Sequence, residues 1–93
     1  MVIGTLRVEL AVYESTSLKD KRRIIKSLKD RLAHQHNISV AEVDALDSRQ
    51  RAVLGMAMVS NDRRFTESCL SKIVDQVRAY RQTSLLSHEL EIW

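Results

Sequence analysis

Ninety-three residues carry 15 Lys and Arg against 12 Asp and Glu, a net charge of only +3, with one cysteine, two glycines and no proline. This length supports one domain, residues 1–93, with one thin core, and 44% hydrophobic and 29% charged residues belong to a globular chain rather than a disordered one. The lone cysteine excludes an internal disulfide and a cysteine-rich zinc site.

The chain opens in alternation: Val2, Leu6, Val8, Leu10 and Val12 share one parity, with Thr5, Arg7 and Glu9 on the other. A period of two predicts a strand with one buried face. Ser15-Thr16-Ser17 interrupts it; Ser17 is a good helix N-cap, and Asp20 three residues on makes a shortened capping box. Leu18, Ile24, Ile25, Leu28 and Leu32 then fall within an arc of about 120°, which predicts an amphipathic helix running to His34–Asn37.

Ile38–Ala45 reads as a second strand whose sides sort poorly, Ile38 and Val40 against Ala41 and Val43. A bulge or an edge position would produce that pattern. After the polar stretch Asp44–Arg51, the run Ala52–Val59 is apolar throughout and fits a central strand covered on both faces. Ser60-Asn61-Asp62 caps a second helix with the stripe Phe65, Cys69, Ile73, Val77 and Tyr80, supported by Leu70. The last strand, Leu85–Trp93, places Leu86, Leu90 and Ile92 on one side and Glu89 and Glu91 on the other. The order βαββαβ, with right-handed crossovers, gives an α+β, ferredoxin-like sandwich: a four-stranded antiparallel sheet with both helices on one face.

Charge is unevenly spread. Residues 17–36 hold seven basic and two acidic side chains, a local +5, whereas the rest of the chain holds eight basic and ten acidic. Lys19, Arg22, Arg23, Lys26 and Lys29 share the solvent side of the first helix. Cations in the first turns oppose the helix macrodipole at about 0.3–1 kcal/mol each, so this placement does not serve stability. An anionic partner would relieve it, and a nucleic-acid backbone is one such polyanion. Arg49 and Arg51 are candidate flanking contacts. Lys21 falls inside the apolar arc, where a lysine usually snorkels or pairs with a nearby carboxylate.

On the third strand, Leu54, Met56 and Met58 should face the helices. That leaves Val53, Gly55, Ala57 and Val59 on the uncovered sheet face, a small apolar surface suited to a homodimer packed through two open faces, to a partner protein or to a small ligand. The same face lacks the aromatics on which RNA-recognition modules stack bases. Any RNA contact is therefore expected at the basic helix.

Catalytic, metal and cofactor readings are weak, and a non-enzymatic protein without cofactor is expected. Two glycines cannot build a phosphate loop, and the loop Tyr13-Glu14-Ser15-Thr16 has neither glycine nor arginine to cradle phosphate. His34, His36, His88 and Cys69 read as surface histidines and a core cysteine. Glu42 and Asp44 share one side of the second strand with Asp47 beyond, an arrangement that suits an edge strand repelling unwanted pairing. An enzyme acting on a phosphorylated small molecule would require a pocket joining Lys21 or Arg22 to Asp44 or Asp47. No apolar run approaches the roughly 20 residues that span a bilayer, and Met1-Val2-Ile3-Gly4 does not begin a secretory signal. A cytoplasmic protein without membrane association is expected.

Three stretches together resemble the YlxP-like family of small bacterial proteins, a domain of unknown function: Ser17-Leu18-Lys19-Asp20-Lys21-Arg22-Arg23, Val40-Ala41-Glu42-Val43-Asp44, and Gln50-Arg51-Ala52-Val53-Leu54-Gly55 leading into Val59-Ser60-Asn61-Asp62. The resemblance implies a ferredoxin-like fold. Through the family's frequent gene neighbours, factors of transcription termination, translation initiation and ribosome maturation, it also implies a connection to RNA or the ribosome. It supplies no catalytic residue. Family members often carry an aromatic before the Gln-Arg-Ala stretch, where this chain has Ser48-Arg49.

Overall fold

The computed structural model describes residues 1–13 and 15–93; Glu14, in the loop read above as lacking a phosphate cradle, lies outside them. The elements run β1 (Val2–Val12), α1 (Leu18–Gln35), β2 (Ser39–Asp44), β3 (Arg51–Ser60), α2 (Arg63–Ala79) and β4 (Thr83–Ile92). All strand pairs are antiparallel and the sheet order is β2-β3-β1-β4, so the expected βαββαβ sandwich forms with β3 and β1 central. Among the described residues, no helix is long and apolar enough to cross a membrane.

The parity of β1 decides which face is core. Leu6, Val8, Leu10 and Val12 are buried, and register sets Leu6 opposite Met56, Val8 opposite Leu54 and Leu10 opposite Ala52. Against this face α1 packs Ile24, Ile25, Leu28 and Leu32. Ser17 caps α1 as its sequence predicts, the Asp20 N–H donating to Ser17 Oγ at 3.1 Å.

The stripe of α2 is rotated from the expected one. The buried residues are Thr66, Leu70, Ile73, Val74 and Val77, whereas Phe65 is 57% exposed and Cys69 is half-buried. Gly4 is the cause: a Cβ there would stand 2.4 Å from Thr66 Cγ2 and 2.7 Å from Leu70 Cδ1. Its bare backbone lets this part of α2 settle on β1 through Thr66. The Thr66 hydroxyl is satisfied by the Asp62 carbonyl at 3.0 Å and by Ser60 Oγ.

Two bulges change the strand parities. The register of β2 shifts between Glu42 and Asp44, so Glu42 lies opposite Leu54 on the helix side while Asp44 lies opposite Val53 on the open side. The two carboxylates therefore do not share a side, contrary to the sequence expectation. In β4 the shift falls where Ser87 pairs with Glu9 and Leu85 with Leu10. Leu85 takes the inward place and Leu86, expected inside, is 52% exposed.

Candidate functional site: a basic helix face and an open sheet face

The first half of α1 projects beyond the reach of α2. Contacts between the helices begin near Arg31, whose guanidinium lies 5.6 Å from the centre of the Tyr80 ring. They continue at Gln35 and His36, which both bond Gln76, the first accepting from Gln76 Nε2 at 2.7 Å. Lys19, Arg22, Arg23 and Lys26 stand exposed before that crossing, and Lys29 is half-buried. Lys26 donates to Asp30 at 2.6 Å, an exposed pair one turn apart and of small energetic weight. The Thr16 hydroxyl, donating to Asp20 Oδ2 at 2.9 Å, leads the effects that hold the Asp20 carboxyl below the usual aspartate value. Partial burial opposes it; the Thr16 backbone, the Ser17 hydroxyl and the Arg23 charge add to it.

Beneath this basic face lies a fully buried lysine. Lys21 has no exposed surface, and its ammonium donates to Glu42 Oε2 at 2.5 Å and to the Ala45 carbonyl at 2.9 Å. The same carbonyl accepts the Ser48 N–H at 3.0 Å. Ala45 is held at φ 56°, and its N–H donates to Asp44 Oδ1 at 2.7 Å. Without a glycine, the β2–β3 turn is thus pinned in the left-handed region by a lysine from the first turn of α1. The pin sets that turn against the start of the basic helix, bringing exposed Arg49 to the same end of the molecule.

Arg51 goes elsewhere. It pairs with Ala11 in the sheet register, stands on the open face and is bound by Glu9, so it does not join the cations of α1. Exposed Tyr13 is a residue the sequence reading missed: it follows the end of β1, beside a hydrogen bond from the Val12 N–H to the Gln50 carbonyl at 2.8 Å. Only the closing of β1 on the β2–β3 turn marks it as part of this end.

The open face is a grid set by register. Trp93, Ile3 and Val59 form one cross-strand row; Glu91, Thr5, Ala57 and Ser39 the next; then Glu89, Arg7, Gly55 and Ala41. Gly55, Ala57 and Val59 lie on this face as expected, with Val59 53% exposed. Val53 shares their parity but is 2% exposed between Glu9 and Asp44, so it offers no surface to a partner. The small side chains floor a trough of about 480 Å³, bordered by Val43 on one side and by Arg7, Glu89 and Glu91 on the other. Val43 leans over Gly55, where a Cβ would meet Val43 Cγ1 at 3.0 Å. Arg7 lies 3.9 Å from Asp44. The sheet separates the trough, with Asp44, from Lys21, so these two of the residues named for a phosphate-directed pocket do not line one cavity.

Among the described residues, no three His, Cys, Asp or Glu side chains converge as a metal cluster would require. His36 is taken up by Gln76, and His34 and His88 are exposed.

The model of a protein family described as "Protein of unknown function (DUF503)" matches residues 3–90. The chain belongs to this family. A relative, the uncharacterised protein YlxP of Bacillus subtilis (strain 168), is 34% identical over 73 residues, covering 78% of this chain and 79% of that protein. Solved structures share the fold at low identity. The cofactor-independent oxygenase SnoaB from Streptomyces nogalater matches with TM-score 0.53 and 12% identity, over 100% of this chain and 92% of that one. A de novo designed ferredoxin-fold protein, LFR1 1, matches with TM-score 0.52 and 11% identity, over 100% and 84%. Some chains with this fold are much longer, and this chain spans 44% of one of them. At such identities the likeness establishes the ferredoxin-like fold alone.

Proposed function

We propose that this DUF503 protein is a non-enzymatic RNA-binding module whose contact surface is the outward face of α1, with Arg49 at its margin. One observation carries the reading: Lys19, Arg22, Arg23 and Lys26 stand exposed on the part of α1 that α2 does not cover, with Lys19 in the first turn, where a cation opposes the helix dipole. A polyanion turns that cost into binding energy through phosphate contacts and counterion release. The surface reads charge and shape rather than base sequence, which favours structured RNA over a defined single-stranded motif. The buried Lys21 serves the same surface indirectly, by fixing the turn that carries Arg49.

The test is salt-dependent binding of a structured RNA hairpin, followed by fluorescence anisotropy. About four phosphate contacts give a log–log slope of about −3 to −4, so raising salt from about 50 to 200 mM weakens binding roughly 100-fold. Arg22→Ala/Lys26→Ala should weaken binding and flatten that slope by about 1.5. Binding unaltered by the double substitution, or insensitive to salt, refutes the reading.

A further inference from the structure

We propose that the open face of the sheet is the interface with a second copy of this chain, the two sheets packing face to face about a twofold axis parallel to the strands. This inference stands apart from RNA binding, because it uses the side of the sheet away from the helices. A twofold interface must be self-complementary: what projects on one half of the face has to find a hollow on the other half. This face is divided in that way. The β1–β4 half carries the projecting Glu89, Glu91 and Trp93, with Arg7 reaching from it across β3 toward Asp44, while the β3–β2 half carries the floor of the trough, Gly55, Ala57 and Ala41, with Val43 at its border. A rotation about an axis running along the strands between β3 and β1 lays each projecting half over the partner's trough.

Size and polarity agree with the same occupant. Four strands about 4.8 Å apart, with nine residues of β1 at about 3.3 Å each, give a flat projection of roughly 600 Å² before side-chain relief is counted. A standard interface buries about 800 Å² per partner, so this face suits a weak, concentration-dependent dimer rather than an obligate one. Its cations are already answered, Arg51 by Glu9 and Arg7 by Asp44 at 3.9 Å, while the unpaired carboxylates, Glu89 and Glu91, stand on the edge strand β4, at the wet rim of the contact. Exposed Val59, Val43 and Trp93 lose water on contact. In such a dimer the two basic α1 faces point outward in opposite directions, giving one assembly two RNA-binding surfaces.

Sedimentation velocity from about 1 to 200 μM decides it. The chain of 10.7 kDa should shift to twice that mass with rising concentration. Ala57→Glu fills the exposed floor of the trough with a charge and should leave a monomer across the range, with its circular dichroism spectrum unchanged. Arg7→Ala removes that side chain and leaves Asp44 without its cation, and should raise the dimer dissociation constant at least tenfold. Arg22→Ala/Lys26→Ala should dimerise as the parent does, which separates this inference from RNA binding. A parent chain monomeric at every concentration overturns the proposal. So does a dimer that survives both Ala57→Glu and Arg7→Ala, since it would have to use another surface such as the free edge of β4.

Discussion

Removing the carboxylate that faces Lys21 is the most informative single perturbation of this fold. The ammonium has no solvent access, while the Glu42 side chain retains 11% exposure. Glu42→Ala therefore leaves a buried charge with only the Ala45 carbonyl, whereas Lys21→Met leaves a carboxylate that can still reach water. Breaking a buried pair by deleting one partner costs about 3–5 kcal/mol; because Glu42 lies at the edge of the core, about 3 kcal/mol is expected for Glu42→Ala. Lys21→Met should cost about 1–2 kcal/mol, from the lost bond to Ala45 and a partly desolvated carboxylate. Replacing both, as Lys21→Met/Glu42→Leu, should be milder than Glu42→Ala and give a clear coupling energy. Urea denaturation provides the values, with thermal midpoints as a check: in a domain of this size 1 kcal/mol corresponds to about 4–8 °C. If Glu42→Ala proves no worse than Lys21→Met, or both cost under about 1 kcal/mol, the pair does not hold the turn and this reasoning fails.

Two further outcomes follow from the cap and the helix seat. Asp20 has a carboxyl held below its usual value in the fold, chiefly by the Thr16 hydroxyl, so its stabilising contribution is complete above the ordinary aspartate pKa and is lost as pH falls through the depressed folded value. The thermal midpoint of Asp20→Asn should thus lie below the parent's at pH 6 and converge on it toward pH 2; a gap that stays constant with pH would contradict the assignment. Gly4→Ala drives a methyl into Thr66 and Leu70 and should cost about 1–3 kcal/mol by denaturant titration, a neutral result showing that α2 does not seat there.

The buried face of β1, the stripe of α1, the Ser17 cap and the central place of β3 were legible because each depends on a pattern within one segment, but β3 is covered on one face only, with Ala57 and Val59 exposed, and not on both as its apolar run suggests. Even Lys21 betrayed itself by its helical angle, and its expected pairing with a nearby carboxylate is what forms. The partner's identity was not legible. Glu42 and Asp44, two residues apart, look alike until the bulge at Val43 sends one to Lys21 and the other toward Arg7. Nothing local to Leu85-Leu86 says which leucine turns inward, and nothing local to Phe65-Thr66 says that distant Gly4 leaves room for the threonine to be the buried residue.

Taken alone, the sequence determined the order of the elements, the covered face of the sheet and the basic character of α1, since side-chain periodicity and charge are properties of a continuous segment. Tertiary structure alone decided where the two flanking arginines go. Arg49 follows a turn that Lys21 pins to the start of α1, and Arg51, two residues on, is carried to the open face and bound by Glu9. Alternation within a strand flips a side chain at each residue, but only pairing with neighbouring strands fixes which flip meets which partner. The division of the open face into a projecting half and a hollow half arises in the same way, from four strands that meet only in the fold.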